Sequence, residues 1–205
     1  MNWYPLYRYG AFSIALFMVV AIAIPFILLN SVAYDTRFNG EELLQFIGQH
    51  RTWWIWLQNL TMGGCVFAIV PFLAIYQALK PVNQSLLLIG VVVAIVCQIL
   101  FLAYLPVVNA LWYMSDRLVE AQSGEYRQAL ISGAEALVAQ NNAYGPSDGL
   151  LAISIGLISI VVWQSTWPTW IALVGFITTL AGVVGAFFSQ KLGIHYLWWW
   201  VFFLL

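Results

Sequence analysis

Apolar runs of about the length of a membrane span alternate with polar segments along most of the chain. A bilayer core about 30 Å thick needs roughly 20 residues of helix. Five runs meet this requirement, some of them with tilt, although the fourth is short. The predicted spans are Gly10–Leu29, Trp53–Leu79, Leu86–Tyr113, Gly149–Trp163 and Thr169–Phe188. This pattern predicts an all-α fold: a polytopic transmembrane helical bundle that forms one domain over residues 1–205.

A sixth apolar run, Ile194–Leu205, closes the sequence. As a helix it reaches only about 18 Å, which is too short for a full span. We therefore expect about six spans, with the last one incomplete because the natural chain continues past Leu205. The first run is longer than the roughly 7–15 apolar residues of a signal peptide, so we expect it to be retained as a span.

The connections between the predicted spans alternate in length. Long polar segments follow the first and third spans, whereas short ones follow the second and fourth, at 80–83 and 164–168. In the second long segment, residues 115–148, apolar positions at helical spacing predict an amphipathic helix and a turn, with a break near Ser123. These positions are Tyr126, Leu130, Ala134, Leu137 and Val138. We expect this segment to lie outside the membrane, where it covers the bundle or meets a partner protein.

The composition supports a membrane protein and excludes several other classes. Hydrophobic residues make up 63% of the chain and charged residues 7%, whereas an average soluble domain has about 25% charged residues. This excludes a soluble enzyme, and the high hydrophobicity excludes a disordered chain. The net charge of −1 leaves no large basic face for nucleic acid.

No charged residue falls deep inside a predicted span. Buried ionisable groups are the usual mark of proton and ion pathways, so this pattern argues against an ion-coupled carrier. The sequence also has no hydrolase nucleophile motif, no phosphate-binding glycine loop and no cluster of metal ligands. We therefore expect no catalytic residues, no metal site and no enzymatic activity.

Polar residues inside the predicted spans are the next candidates for a site. They are Gln58, Asn59, Thr61 and Gln98. In lipid, such groups usually form hydrogen bonds between helices and stabilise the bundle. The alternative is that they line a small cavity for a neutral or lipophilic ligand, such as a lipid or a quinone.

His195 is a candidate ligand for a haem or a chlorophyll-type pigment. It lies at the start of the last apolar run, close to Trp198, Trp199 and Trp200. A neutral imidazole can bind the metal of such a group. An imidazole at the membrane interface is the more common explanation, so we predict no cofactor and keep the pigment as an alternative.

Small residues spaced four apart predict close packing between helices. They recur in three spans, at Gly64, Ala68, Ala152, Gly156, Ala181, Gly182 and Gly185. This pattern favours a compact bundle but does not identify a partner.

The turn between the second and third spans resembles a known family. The stretch 76–86 contains the sequence Leu79-Lys80-Pro81-Val82-Asn83. It resembles the bacterial six-helix membrane family called domain of unknown function four-three-eight-six. The resemblance implies a six-span bundle whose amino terminus and Lys80 turn face the cytoplasm. A count of basic residues in the connections points to the opposite orientation, and here we follow the resemblance.

These features favour a non-catalytic integral membrane protein, in a bacterial plasma membrane. We expect it to be an accessory or structural subunit that packs against other membrane proteins and the lipid bilayer. Binding or transport of a neutral or lipophilic ligand is one alternative. Binding of a pigment or haem through His195 is another.

Overall fold

The computed structural model describes residues 3–30, 39–103, 105–121, 123–142 and 145–192. Every regular element in these ranges is an α-helix, which confirms the all-α prediction. In chain order the helices are α1 (Tyr4–Asn30), α2 (Gly40–Gln49), α3 (Arg51–Ala103), α4 (Leu105–Glu120), α5 (Gly124–Asn142), α6 (Gly145–Trp163) and α7 (Thr169–Leu192).

Helix α3 is a hairpin of two arms that meet at Asn83. The backbone of Asn83 is not helical, with φ −155° and ψ 87°. Its side-chain Oδ1 accepts a hydrogen bond from the Leu86 backbone N–H at 3.2 Å, so Asn83 caps the second arm, residues 84–103. Phe72 of the first arm, residues 51–82, packs against a cluster that contains Ala94. A straight helix would separate these two residues by about 33 Å, so the arms run antiparallel.

Helix α1 lies antiparallel to the first arm of α3. Gly10 is buried there, and a Cβ at this position would lie 2.9 Å from Ala74 Cβ. Closer to the start of α1, Lys80 Nζ lies 5.8 Å from the centre of the Trp3 ring. The missing side chain at Gly10 therefore sets how closely α1 approaches α3.

Helices α6 and α7 extend this antiparallel arrangement. A Cβ on Gly90 of the second arm would meet Leu157 Cβ of α6 at 3.3 Å. Between α6 and α7, a Cβ on Gly156 would lie 2.9 Å from Thr179 Cγ2. Small residues at these crossings let neighbouring backbones approach closely.

The resulting bundle has two different ends. One end, here called the hairpin end, contains the start of α1, the α3 turn at 80–83 and the α6–α7 turn at 164–168. A hydrogen bond of 3.3 Å from Asn83 Nδ2 to Gln164 Oε1 joins its two turns. At the other end, α2, α4 and α5 pack around a hydrophobic core of their own, and we call this substructure the polar cap.

Two segments differ from the sequence prediction. The third predicted span continues to Tyr113, but its last part, from Val107 onward, contributes to the core of the polar cap. Leu111, inside the predicted span, is buried in that core. The segment after the first span, expected to be a polar loop, contains helix α2.

Two helices of the described residues are long and apolar enough to cross a membrane, by length and composition. They are Met62–Ala103 and Thr169–Ala186. The first of these contains the turn at Asn83, and the apolar part of α6, Gly149–Trp163, is shorter. These helices support a membrane location, whereas six spans are not confirmed. The predicted sixth run, Ile194–Leu205, lies outside the described residues.

We expect Gly10→Ala to destabilise the bundle. The new methyl group would clash with Ala74 Cβ, and overpacking of this kind costs about 1–3 kcal/mol. Gly63→Ala is the matched control, because a Cβ on Gly63 meets nothing within 4 Å and alanine favours a helix interior by up to about 1 kcal/mol. Thermal unfolding in one detergent measures both variants. Equal midpoints for the two would contradict a close α1–α3 contact.

Candidate functional site

Charged residues of the described helices lie at the two ends of the bundle and not between them. The hairpin end has Arg8 and Lys80. By helix position, the cap end has the acidic residues Glu41, Glu42, Asp116, Glu120, Glu125, Glu135 and Asp148, and the basic residues Arg51, Arg117, Arg127 and Lys191. The cap end therefore has more negative than positive charge, whereas the hairpin end is positive.

Helix α2 begins with a capping box. Asn39 Oδ1 accepts a hydrogen bond from the Glu42 N–H at 2.9 Å, and the Asn39 N–H donates to Glu42 Oε2 at 3.3 Å. Each side chain thus satisfies a backbone N–H that has no partner within the helix. The signal for this helix is visible in the sequence as Asn39-x-x-Glu42, followed by an apolar pair at 43–44, and our sequence analysis missed it.

Contacts with α5 hold α2 in place. The Gly40 N–H donates to Glu135 Oε1 at 3.3 Å, and Arg127 forms an ion pair with Glu41. A Cβ on Gly40 would lie 2.5 Å from the Ile131 carbonyl oxygen, so the two backbones almost touch. These three contacts fix the position of the first turn of α2 on α5.

The core of the polar cap lies between its three helices. Leu44 and Ile47 of α2 are fully buried there, with α4 and α5 on either side. Ser115 of α4 donates a hydrogen bond from Oγ to the Leu44 carbonyl oxygen at 2.6 Å, inside the same core. This buried hydrogen bond fixes α4 relative to α2.

An ion pair joins the polar cap to the bundle. Arg51, at the start of α3, contacts Asp116 of α4 at 3.3 Å, and its guanidinium lies 5.0 Å from the centre of the Trp112 ring. On the outer face of α4, Arg117 Nε donates to Tyr113 Oη at 3.1 Å, and this hydrogen bond raises the pKa of the guanidinium.

No group of three or more His, Cys, Asp and Glu side chains suited to a metal ion occurs among the described residues.

The hairpin end combines its two cations with aromatic rings. Lys80 lies over Trp3, and the Arg8 guanidinium lies 5.8 Å from the centre of the Tyr4 ring. Near the α6–α7 turn, Trp163 and Trp170 are 53% and 64% exposed. Such aromatic side chains are typical of the interface between lipid and water.

Of the proposed ligand-cavity residues, the structure describes the side chains of Asn59 and Gln98, and these two lie at different depths. Gln98 is buried and 3% exposed, whereas Asn59 is exposed. Because the α3 arms are antiparallel, Asn59 lies about nine residues, or roughly 13 Å, further from the turn than Gln98. Gln58 and Thr61 belong to the first arm, and their side chains are outside the described part of the structure. His195, the proposed pigment ligand, also lies outside the described residues.

Hydroxyl groups inside the bundle bond to their own helices. Ser159, Thr178 and Thr179 donate to the carbonyl oxygens four residues earlier, at 2.7, 2.9 and 2.8 Å. The buried Ser154 Oγ has no hydrogen-bond partner among the described residues.

Most of the small residues predicted to pack between helices are buried in the bundle. Six of them are buried, namely Gly64, Ala68, Ala152, Gly156, Gly182 and Gly185, and Ala181 is half-buried. Sequence analysis missed Gly10 and Gly175, and Gly175 lies against Ser159 of α6. Gly175 forms a four-residue spacing with Thr179, which is a signal of the same kind. Gly10 has no such signal, since its contact depends on the position of α3.

We expect Ser115→Ala to loosen the polar cap without affecting the bundle. Loss of the hydrogen bond to Leu44 removes about 1 kcal/mol of local stability. Ser132→Ala is the matched control, because Ser132 is exposed on α5. Hydrogen exchange of the α2 amides measures the effect and should quicken in Ser115→Ala only. Equal exchange in both variants would mean that this hydrogen bond does not hold α2.

Comparison with known proteins gives no match to this chain, whether by family model, by curated sequence or by solved structure.

Proposed function

We propose that this chain is a non-catalytic integral membrane protein that acts as an accessory or structural subunit. In this proposal it forms a bundle of about six spans in a bacterial plasma membrane and packs against other membrane proteins. The observation that supports the proposal best is the separation of charge. The charged residues of the described helices lie at the two ends, and the closely packed region between them is uncharged.

The lengths of the helices fit a bilayer. The second arm of α3 has about 20 residues and a length of about 30 Å, close to the thickness of the hydrocarbon core. Large apolar side chains along it are exposed, including Ile89, Val92 and Ile99 at 55%, 49% and 54%. Lipid tails would cover such a surface, whereas in water it would be an aggregation hazard.

The interior favours a structural role over chemistry. Proton and ion pathways use acidic, basic or histidine side chains inside the membrane, and the described bundle interior has none of these. The hydroxyls of Ser159, Thr178 and Thr179 donate hydrogen bonds to backbone carbonyl oxygens of their own helices. On the polar cap, Val119 of α4 is 86% exposed. Lipid tails do not reach this position in our proposal, so a partner protein would cover it.

A labelling experiment tests the membrane topology. Ser123→Cys places a thiol on the polar cap and Ser85→Cys places one beside the α3 turn, while the natural Cys65 and Cys97 are buried. In intact cells, a membrane-impermeant thiol reagent should label only one of the two variants. The other should react after the membrane is opened, and the unmodified chain is the control. Labelling of both variants from the same side would contradict a spanning bundle.

Extraction into native lipid particles tests the role as a subunit. We expect the mass of the particle to include a second protein at a fixed ratio to this chain. One bound lipid or quinone per chain, with no second protein, would instead favour the ligand-binding alternative. A visible absorption band that disappears in His195→Ala would favour the pigment alternative. A particle that contains only this chain and bulk lipid would contradict all three functions.

A further inference from the structure

We propose that the hairpin end binds the phosphate headgroups of anionic phospholipids, with Arg8 and Lys80 as the binding cations. The proposal goes beyond the role as a subunit, and it rests on the proposed membrane location. It assigns a class of ligand to the hairpin end, to which the proposed function gives no role.

The structure holds both cations at one end of the bundle. The close contact between Gly10 and Ala74 fixes α1 against the first arm of α3. Beyond this contact, toward the start of α1, Lys80 Nζ lies over the Trp3 ring, and Arg8 lies over the neighbouring Tyr4 ring, each at 5.8 Å. The two positive charges therefore lie at the same end of the bundle, although they are far apart in the sequence.

Within the described part of the chain, no carboxylate neutralises these two charges. Each arginine of the polar cap, namely Arg51, Arg117 and Arg127, forms an ion pair with a carboxylate. Across the described ranges, neither Arg8 nor Lys80 has a carboxylate within ion-pair distance, and no acidic residue lies at the hairpin end. A phosphate group from outside the chain would supply the missing negative charge.

The depth of the surface favours a lipid headgroup as the source of that phosphate. Trp163 and Trp170 lie at the same end and are exposed, and tryptophan concentrates at the level of the headgroups. Long basic side chains extend along apolar surface and place their charges at this level. The opposite end has more acidic than basic residues, so an anionic leaflet attracts the hairpin end and repels the polar cap.

Lipid titration of the purified chain tests the proposal. Phosphatidylglycerol is added to the protein in a neutral detergent, and the rise in the thermal unfolding midpoint is compared with that caused by phosphatidylcholine. We expect a larger rise with phosphatidylglycerol, with lipid affinity about fivefold weaker for each cation removed in Arg8→Gln and Lys80→Gln. Arg117→Gln is the matched control, because it removes one positive charge from the polar cap. It should keep the full response.

Four outcomes would overturn the proposal. One is an equal response to the two lipids, and another is an equal loss in Arg117→Gln. A third is an equal midpoint rise with inorganic phosphate, which would indicate a site for free phosphate. If the variants fail to fold, the effect of salt on the wild-type response is measured instead, and we expect salt to weaken it. A response that salt does not change is the fourth outcome. A chain that inserts into vesicles but shows no lipid preference contradicts this proposal alone, whereas one that stays soluble without detergent also contradicts the proposed function.

Discussion

The constraint on which this structure depends is the high cost of an ionised group in an apolar medium. Each described charged residue lies at an end of the bundle, so the helices between the ends are held together without ion pairs. In lipid, the hydrophobic effect does not drive helices together, and close van der Waals contact must do so. Glycines therefore occupy the crossings, with Gly10 against α3, Gly90 against α6 and Gly156 against α7.

The parts of the fold that sequence analysis predicted well are those that local chemistry determines. The turn at 80–83 was predicted because a lysine, a proline and an asparagine interrupt an apolar run, and Asn83 both leaves the helical conformation and caps the next arm. The break near Ser123 is of the same kind, since its Oγ accepts from the Tyr126 N–H. The start of α2 was also local, but its capping box lies in a polar segment that we took for a loop.

The parts that sequence analysis missed depend on contacts between distant residues. The third predicted span appears continuous to Tyr113 because hydropathy does not distinguish burial in lipid from burial in the polar cap, where Leu111 lies. The pairing of Glu41 with Arg127 joins residues 86 positions apart, so no local pattern indicates it. The separation of Asn59 and Gln98 is of a related kind, because only the register of the hairpin shows that these two residues lie at different depths.

The two ends of the bundle use charge in opposite ways. In the polar cap, the arginines pair with carboxylates of the same chain: Arg127 joins α5 to α2, Arg51 joins α3 to α4, and Arg117 pairs within α4. At the hairpin end, aromatic rings hold the cations without neutralising them, because a ring has a negative face but no net charge. In our proposal, a bundle with an uncharged interior still recognises charged molecules, at the end where the described residues leave its cations without a carboxylate partner.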